Sequence, residues 1–159
     1  MDQKALSNWL KLILAGMGLC GLVVYAAVLP WLGLVIAQQN PEMSHRFWPW
    51  LIFLWATGLP CYIALFFGWR MASNIGRDRS FSQDNARLLK WISLLAAGDA
   101  AFFFAGNAAL LLLSLSHPGV ALFSLLGVFA GVAVSAAAAV LSHLVRKAAD
   151  LQEQSDWTI

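Results

Sequence analysis

Four stretches almost free of charge organise this chain: residues 12–37, 47–71, 91–115 and 120–144. Polar positions gather in the short segments between them. A helix crossing the hydrocarbon core of a bilayer needs roughly 20 residues, and each stretch reaches that length. Backbone groups in lipid must bond one another, so such stretches are helices. The pattern predicts an all-α integral membrane protein: a single domain over residues 1–159, folded as a four-helix bundle running up-down-up-down. A loop at 72–90 and a tail at 145–159 fall outside the spans. The first stretch follows a short basic N-terminus, as a signal peptide would. A signal h-region is only about 7–15 residues, so the stretch reads as a retained span.

Composition agrees, with 60% hydrophobic and 11% charged residues, where a soluble domain carries about a quarter charged. Charge then gives the orientation. Lys4 and Lys11 precede the first span, Arg70, Arg77, Arg79, Arg87 and Lys90 lie at the middle loop, and Arg146 and Lys147 follow the last span. Of the ten bases only Arg46 falls opposite. The positive-inside bias puts both termini and the middle loop in the cytoplasm, with Trp9, Trp69 and Trp91 at the inner interface and Trp31, Trp48 and Trp50 at the outer one. The net charge of +2 reflects this anchoring and gives no surface for direct nucleic-acid binding. The bilayer is the first partner.

Candidate chemistry is sparse. The third span holds Asp99 and Asn107. Asp99 lies about 12 Å in from Trp91 at 1.5 Å per residue, against a half-thickness of roughly 15 Å. An isolated carboxylate there costs about 3 kcal/mol or more, so it marks a functional site or a hydrogen-bonded pin between helices. Ser116-His117-Pro118-Gly119 reads as a tight outer turn, which sets Asp99 level with Ser135 and with Tyr62 of the second span. Both hydroxyls can donate to a carboxylate, and the spacing predicts that Asp99 faces the bundle interior. Gly127, Gly131, Ser135 and Ala139 recur every fourth residue, a small-residue seam for close helix packing or for homo-oligomer formation. Pro30 should kink the first helix, and Pro60, after Gly58, interrupts the second. Cys20 and Cys61 lack C-x-x-C spacing and read as small packing residues.

His45, His117 and His143 have no acid or cysteine cluster at metal-ligand spacing. No phosphate loop, Walker lysine or Ser-His-Asp set occurs. We expect no enzyme, no cofactor, no metal and no catalytic residue.

The polar segments suggest docking instead. Ser82 reads as the N-cap of the third helix, with Asp84 favoured by its dipole and Phe81 as a hydrophobic staple. Phe81, Asp84, Asn85 and Arg87 form one candidate docking segment; Asp150, Glu153, Asp156, Trp157 and Ile159 form the other. Leu144, Ala148 and Leu151 share a helical face, so the last helix should continue beyond the membrane. Its acidic end would be repelled by an anionic leaflet. It suits a basic protein groove, either the Arg77-Asp78-Arg79 loop or one on a partner.

Two elements carry a family resemblance: Phe81-Ser82-Gln83-Asp84-Asn85-Ala86-Arg87-Leu88 before the third span, and the closing stretch from Ala148 to Ile159. With the four spans, they resemble the bacterial membrane family known as domain of unknown function 2975, across nearly the whole chain. Members usually close on Asp-Leu-Thr-Val or Asp-Leu-Thr-Ile, and Trp157 replaces that leucine here. Ser80 stands where the family usually has proline before the phenylalanine. Genes of the family often neighbour a small helix-turn-helix regulator. The resemblance therefore implies a membrane interaction or sensor protein that holds or releases such a cytosolic regulator. Two further readings stand beside it: a small-molecule or ion-binding bundle centred on Asp99 and Asn107, and a structural oligomer.

Overall fold

A computed structural model describes residues 2–39, 41–116 and 118–156. The four apolar stretches all become helices: α1 over Gln3–Gln39, α2 over Phe47–Ile75, α3 over Gln83–Leu112 and α4 over Pro118–Asp156. A 3-10 turn, Pro41–Arg46, links the first two. Each helix is long and apolar enough to cross a membrane. Each also outruns the lipid. The 39 residues of α4 extend about 58 Å at 1.5 Å per residue, nearly twice the roughly 30 Å hydrocarbon core. The loop expected at 72–90 shrinks accordingly, because α2 continues to Ile75 and α3 begins at Gln83.

Pro30 does not break α1 where it stands. The five residues Val24–Val28 ahead of it form a π-turn, in which the Leu29 N–H reaches back to Val24 O. Proline brings no N–H of its own, and the wider π register is one way for a helix to absorb the mismatch. Trp55 of α2 completes the repair, its indole N–H donating to Tyr25 O at 2.9 Å.

Packing between neighbours uses small residues as seats. Gly18 and Gly21 of α1 lie against Leu65 and Tyr62 of α2, and Gly106 of α3 receives the ring of Phe53. That ring also stacks parallel on Phe103 with centroids 5.8 Å apart. On α4, Gly127 faces Phe103 and Gly131 faces Ala100. Contacts join α1 to α2, α2 to α3 and α3 to α4; among the described residues no backbone approach within 8 Å joins α4 to α1 or α2. The expected bundle is therefore an open row in chain order. Lipid tails are as apolar as leucine, so no hydrophobic force drives the outer helices together, and each helix stops at the neighbour its small residues fit.

Two expectations about the α3–α4 pair need correction. The four-residue row does not hold to its end. Gly127, Gly131 and Ser135 meet α3, while Ala139 is exposed on the rim of a cleft with Lys90 and Leu94 of α3, and Ala138 and Ala149 are buried with Ser142 half-buried between them. A four-residue step advances 400° around the helix, so a strict row drifts off the contact. Alternating steps of three and four hold a straight seam. The register also differs. Ser135 lies level with Ser93, and Asp99 comes level with Gly131, whose facing residue is Ala100. The cause is the turn: α3 ends at Leu112 and the chain reverses through Ser114 in left-handed conformation (φ 55°), earlier than the turn expected at 116–119. His117 of that expected turn is outside the described residues.

Candidate functional site

Polar side chains inside the spans fall into two groups. The first is the seam pair between α3 and α4. Ser135 Oγ donates to Ser93 O at 2.9 Å. With that proton committed, the 3.2 Å contact between the two hydroxyls is a bond from Ser93 to Ser135. Asn107 belongs with this satisfied class. It is buried, and its amide bonds back to Phe103 O at 2.8 Å within α3. It lies eight residues, about 12 Å, along the helix from Asp99, so the two do not form one site.

The second group sits between α1, α2 and α3. Asp99 Oδ2 accepts from the thiol of Cys61 at 3.8 Å, while Oδ1 is buried with no hydrogen-bond partner. Tyr25, carried on the π-turn, meets α2 at Thr57, one turn from Cys61. Thr57 donates to Leu54 O at 2.7 Å, so the 3.3 Å contact between Tyr25 and Thr57 is a bond donated by the tyrosine. The ring of Tyr25 lies over Gly58, and Pro60 removes the backbone donor that would meet the Ala56 carbonyl. A π-turn on α1 thus meets α2 where a glycine and a proline flank the turn that carries Cys61.

The partners expected for Asp99 are not the ones it has. Ser135 is taken by Ser93, and Tyr62, although next to Cys61 in the chain, donates to Gly18 O at 2.9 Å. Cys61, read as a packing residue, is the side chain that reaches the acid. Thr57 and Cys61 lie one helical turn apart on α2, and that spacing beside Pro60 was the available signal for the site. Tyr25 had none, because the π-turn that aims it depends on the fold.

At the end where Ser7, Asn85 and Asp150 lie the polar groups interlock. Asn85 is 1% exposed: its amide donates to Arg79 O and Ser80 O at 3.1 and 3.0 Å, and its carbonyl accepts from Asn74 at 2.8 Å. It is an internal pin, not a docking residue. Ser82 is the N-cap, accepting from the Asn85 N–H. Asp84 pairs with Arg70 at 3.5 Å, and Asp150 accepts from Gln83 at 2.5 Å. This last bond ties the tail to the start of α3 rather than to the Arg77–Arg79 loop. Ser142 donates to Ala86 O, and Ser7 of α1 donates to Ala72 O of α2 at 2.6 Å. The face of α4 that packs is Ser142, Val145 and Ala149, leaving Leu144 and Leu151 exposed. Phe81 does not staple, being 59% exposed, and Arg87 and Glu153 are exposed as well. Trp157 and Ile159 lie outside the described residues, and α4 runs to Asp156.

At the opposite end Arg46 donates to Ser114 O at 2.8 Å, beside an apolar cavity of about 150 Å³ walled by Gly33, Phe47, Trp50 and Val120. It binds the first inter-helix turn to the last and stands apart from Asp99. Among the described residues no group of three or more His, Cys, Asp or Glu side chains converges as a metal centre would.

Comparison with known proteins gives a family but no chemistry. Residues 31–159 match the family described as "Protein of unknown function (DUF2975)". Among curated proteins the chain is similar to the "Uncharacterized membrane protein YoaS" of Bacillus subtilis (strain 168), 27% identical over 152 residues covering 94% of each chain. No solved structure matches.

Proposed function

The chain belongs to the DUF2975 family of multi-pass membrane proteins, and from that footing we propose that it binds a small cation, a proton or a monovalent metal ion, at Asp99. One observation carries the reading: the buried Asp99 Oδ1 has no hydrogen-bond partner. Leaving a buried acceptor unmet costs about 1–3 kcal/mol, and a cation meets it. Oxygen donors suit such an ion. The Tyr25 hydroxyl, whose proton goes to Thr57, keeps its lone pairs for that purpose. We place both termini and the 76–82 link in the cytoplasm of a bacterial cell, on the bias of Lys and Arg.

The test uses the full chain in detergent and in vesicles. Thermal unfolding is followed in sodium, potassium and choline chloride at equal ionic strength, and proton entry is followed with a trapped pH dye. Wild type gains stability in one alkali chloride or passes protons, and Asp99→Asn does neither. Identical behaviour of the two proteins in all these assays would sink the proposal.

A second reading, the tethering of a cytosolic regulator, is favoured by Phe81 and Arg87, which are exposed at the end bearing both termini. Pull-down from cytosol with wild type against a Phe81→Ala, Arg87→Ala double variant tests it. Equal recovery of every captured protein would remove it.

A further inference from the structure

The bases at the terminal end are not all accounted for by orientation. Lys90, Ser93 and Leu94 of α3 face Ser142, His143 and Arg146 of α4 across a cleft of about 340 Å³, and no acid lines it. Among the described residues the one ion pair is Arg70 with Asp84, so neither Lys90 nor Arg146 has a carboxylate within 4.0 Å. The two serines direct their protons into the protein: Ser142 to Ala86 O, Ser93 to Ser135. What remains to offer hydrogen bonds into the cleft is an ammonium, a guanidinium and an imidazole N–H. Such a set calls for an anion with several acceptor oxygens, and a guanidinium meets a phosphate two bonds at a time.

The position of the cleft narrows the anion to one source. Lys90 immediately precedes Trp91, an exposed indole at the level where aromatic rings meet headgroups. Leu94 on α3 and Val140 and Leu141 on α4 are exposed one to two turns further into the span. Basic clefts between helices at the cytoplasmic surface suit anionic lipid heads, whose apolar tails then lie along the span. We propose that this cleft holds an anionic phospholipid of the inner leaflet, its phosphodiester between Lys90 and Arg146 and a chain along Leu94. The orientation is the one proposed above; the site is independent of Asp99.

The full-length protein is titrated in mild detergent with phosphatidylglycerol, phosphatidylcholine or inorganic phosphate, and bound lipid is read by native mass spectrometry. Phosphatidylglycerol binds in preference to phosphatidylcholine, and millimolar phosphate does not displace it. Lys90→Gln with Arg146→Gln weakens that binding about thirtyfold, taking on the order of 1 kcal/mol per base. Lys90→Arg with Arg146→Lys restores it, and Lys4→Gln with Lys11→Gln leaves it unchanged. Lys90 and Arg146 are exposed, and circular dichroism checks that the helices persist. Equal binding of the two lipids overturns the proposal, as does unchanged binding by the Gln variant or by a misfolded one with intact affinity. Displacement by phosphate replaces the lipid with a free anion and equally overturns it.

Discussion

The seam pair Ser93–Ser135 and the acid pair Cys61–Asp99 both join apolar helices and obey opposite rules. In the first, each hydroxyl proton has an acceptor and the helices close on it. In the second, a thiol makes one long bond and a carboxylate oxygen is left bare. Polar groups within a span hold helices together when satisfied; an unsatisfied one is kept at a cost to stability. The comparison separates architecture from chemistry by whether each polar group is satisfied, not by its depth.

The largest effect should come from forcing the closed side apart. A Cβ on Gly131 would lie 3.0 Å from that of Ala100, so Gly131→Leu should cost about 3 kcal/mol by overpacking, read as a lowered midpoint of thermal or detergent unfolding. A midpoint equal to wild type would mean that the seam is not close-packed. Next comes Asn85→Ala, which strips three side-chain bonds from a buried site and should cost about 2 kcal/mol. Hydrogen exchange over residues 74–86 should rise with it. Ser135→Ala should cost only about 0.6 kcal/mol, the average for hydrogen bonds between membrane helices. The smallest change is expected on the open side. Asp99→Leu should leave stability equal to wild type or raise it, because no protein group loses more than a weak thiol bond. A loss of 2 kcal/mol or more there would make Asp99 a structural pin and erase the contrast.

Much of the architecture was legible because lipid imposes coarse rules. Length and apolarity marked the four spans, and the hydroxyl of Ser82 marked the start of α3 one residue on. What escaped depended on positions around and along the helices. A turn closing at Ser114 instead of 116–119 moved Ser135 away from Asp99 and onto Ser93. A row of every fourth residue could not reveal that the contact would pass to Ala138. Asp99 stood out as the lone acid of the spans, yet its neighbours were hidden. Tyr25 reaches the site only through a π-turn, and the one-turn spacing of Thr57 and Cys61 beside Pro60 was a faint signal among small packing residues. Asn85 looked like a docking residue because a polar residue outside a span is usually wet; here it fills a pocket of backbone carbonyls.

The open row has a bearing on how the protein is made. Among the described residues each helix comes within 8 Å, backbone to backbone, only of the helix before or after it in the chain, and chains dominated by local contacts fold fast. Synthesis proceeds from the N-terminus at about 5–20 residues per second. Each helix can therefore settle on a neighbour made before it, and the first three, which hold the Asp99 cluster, precede the last in synthesis.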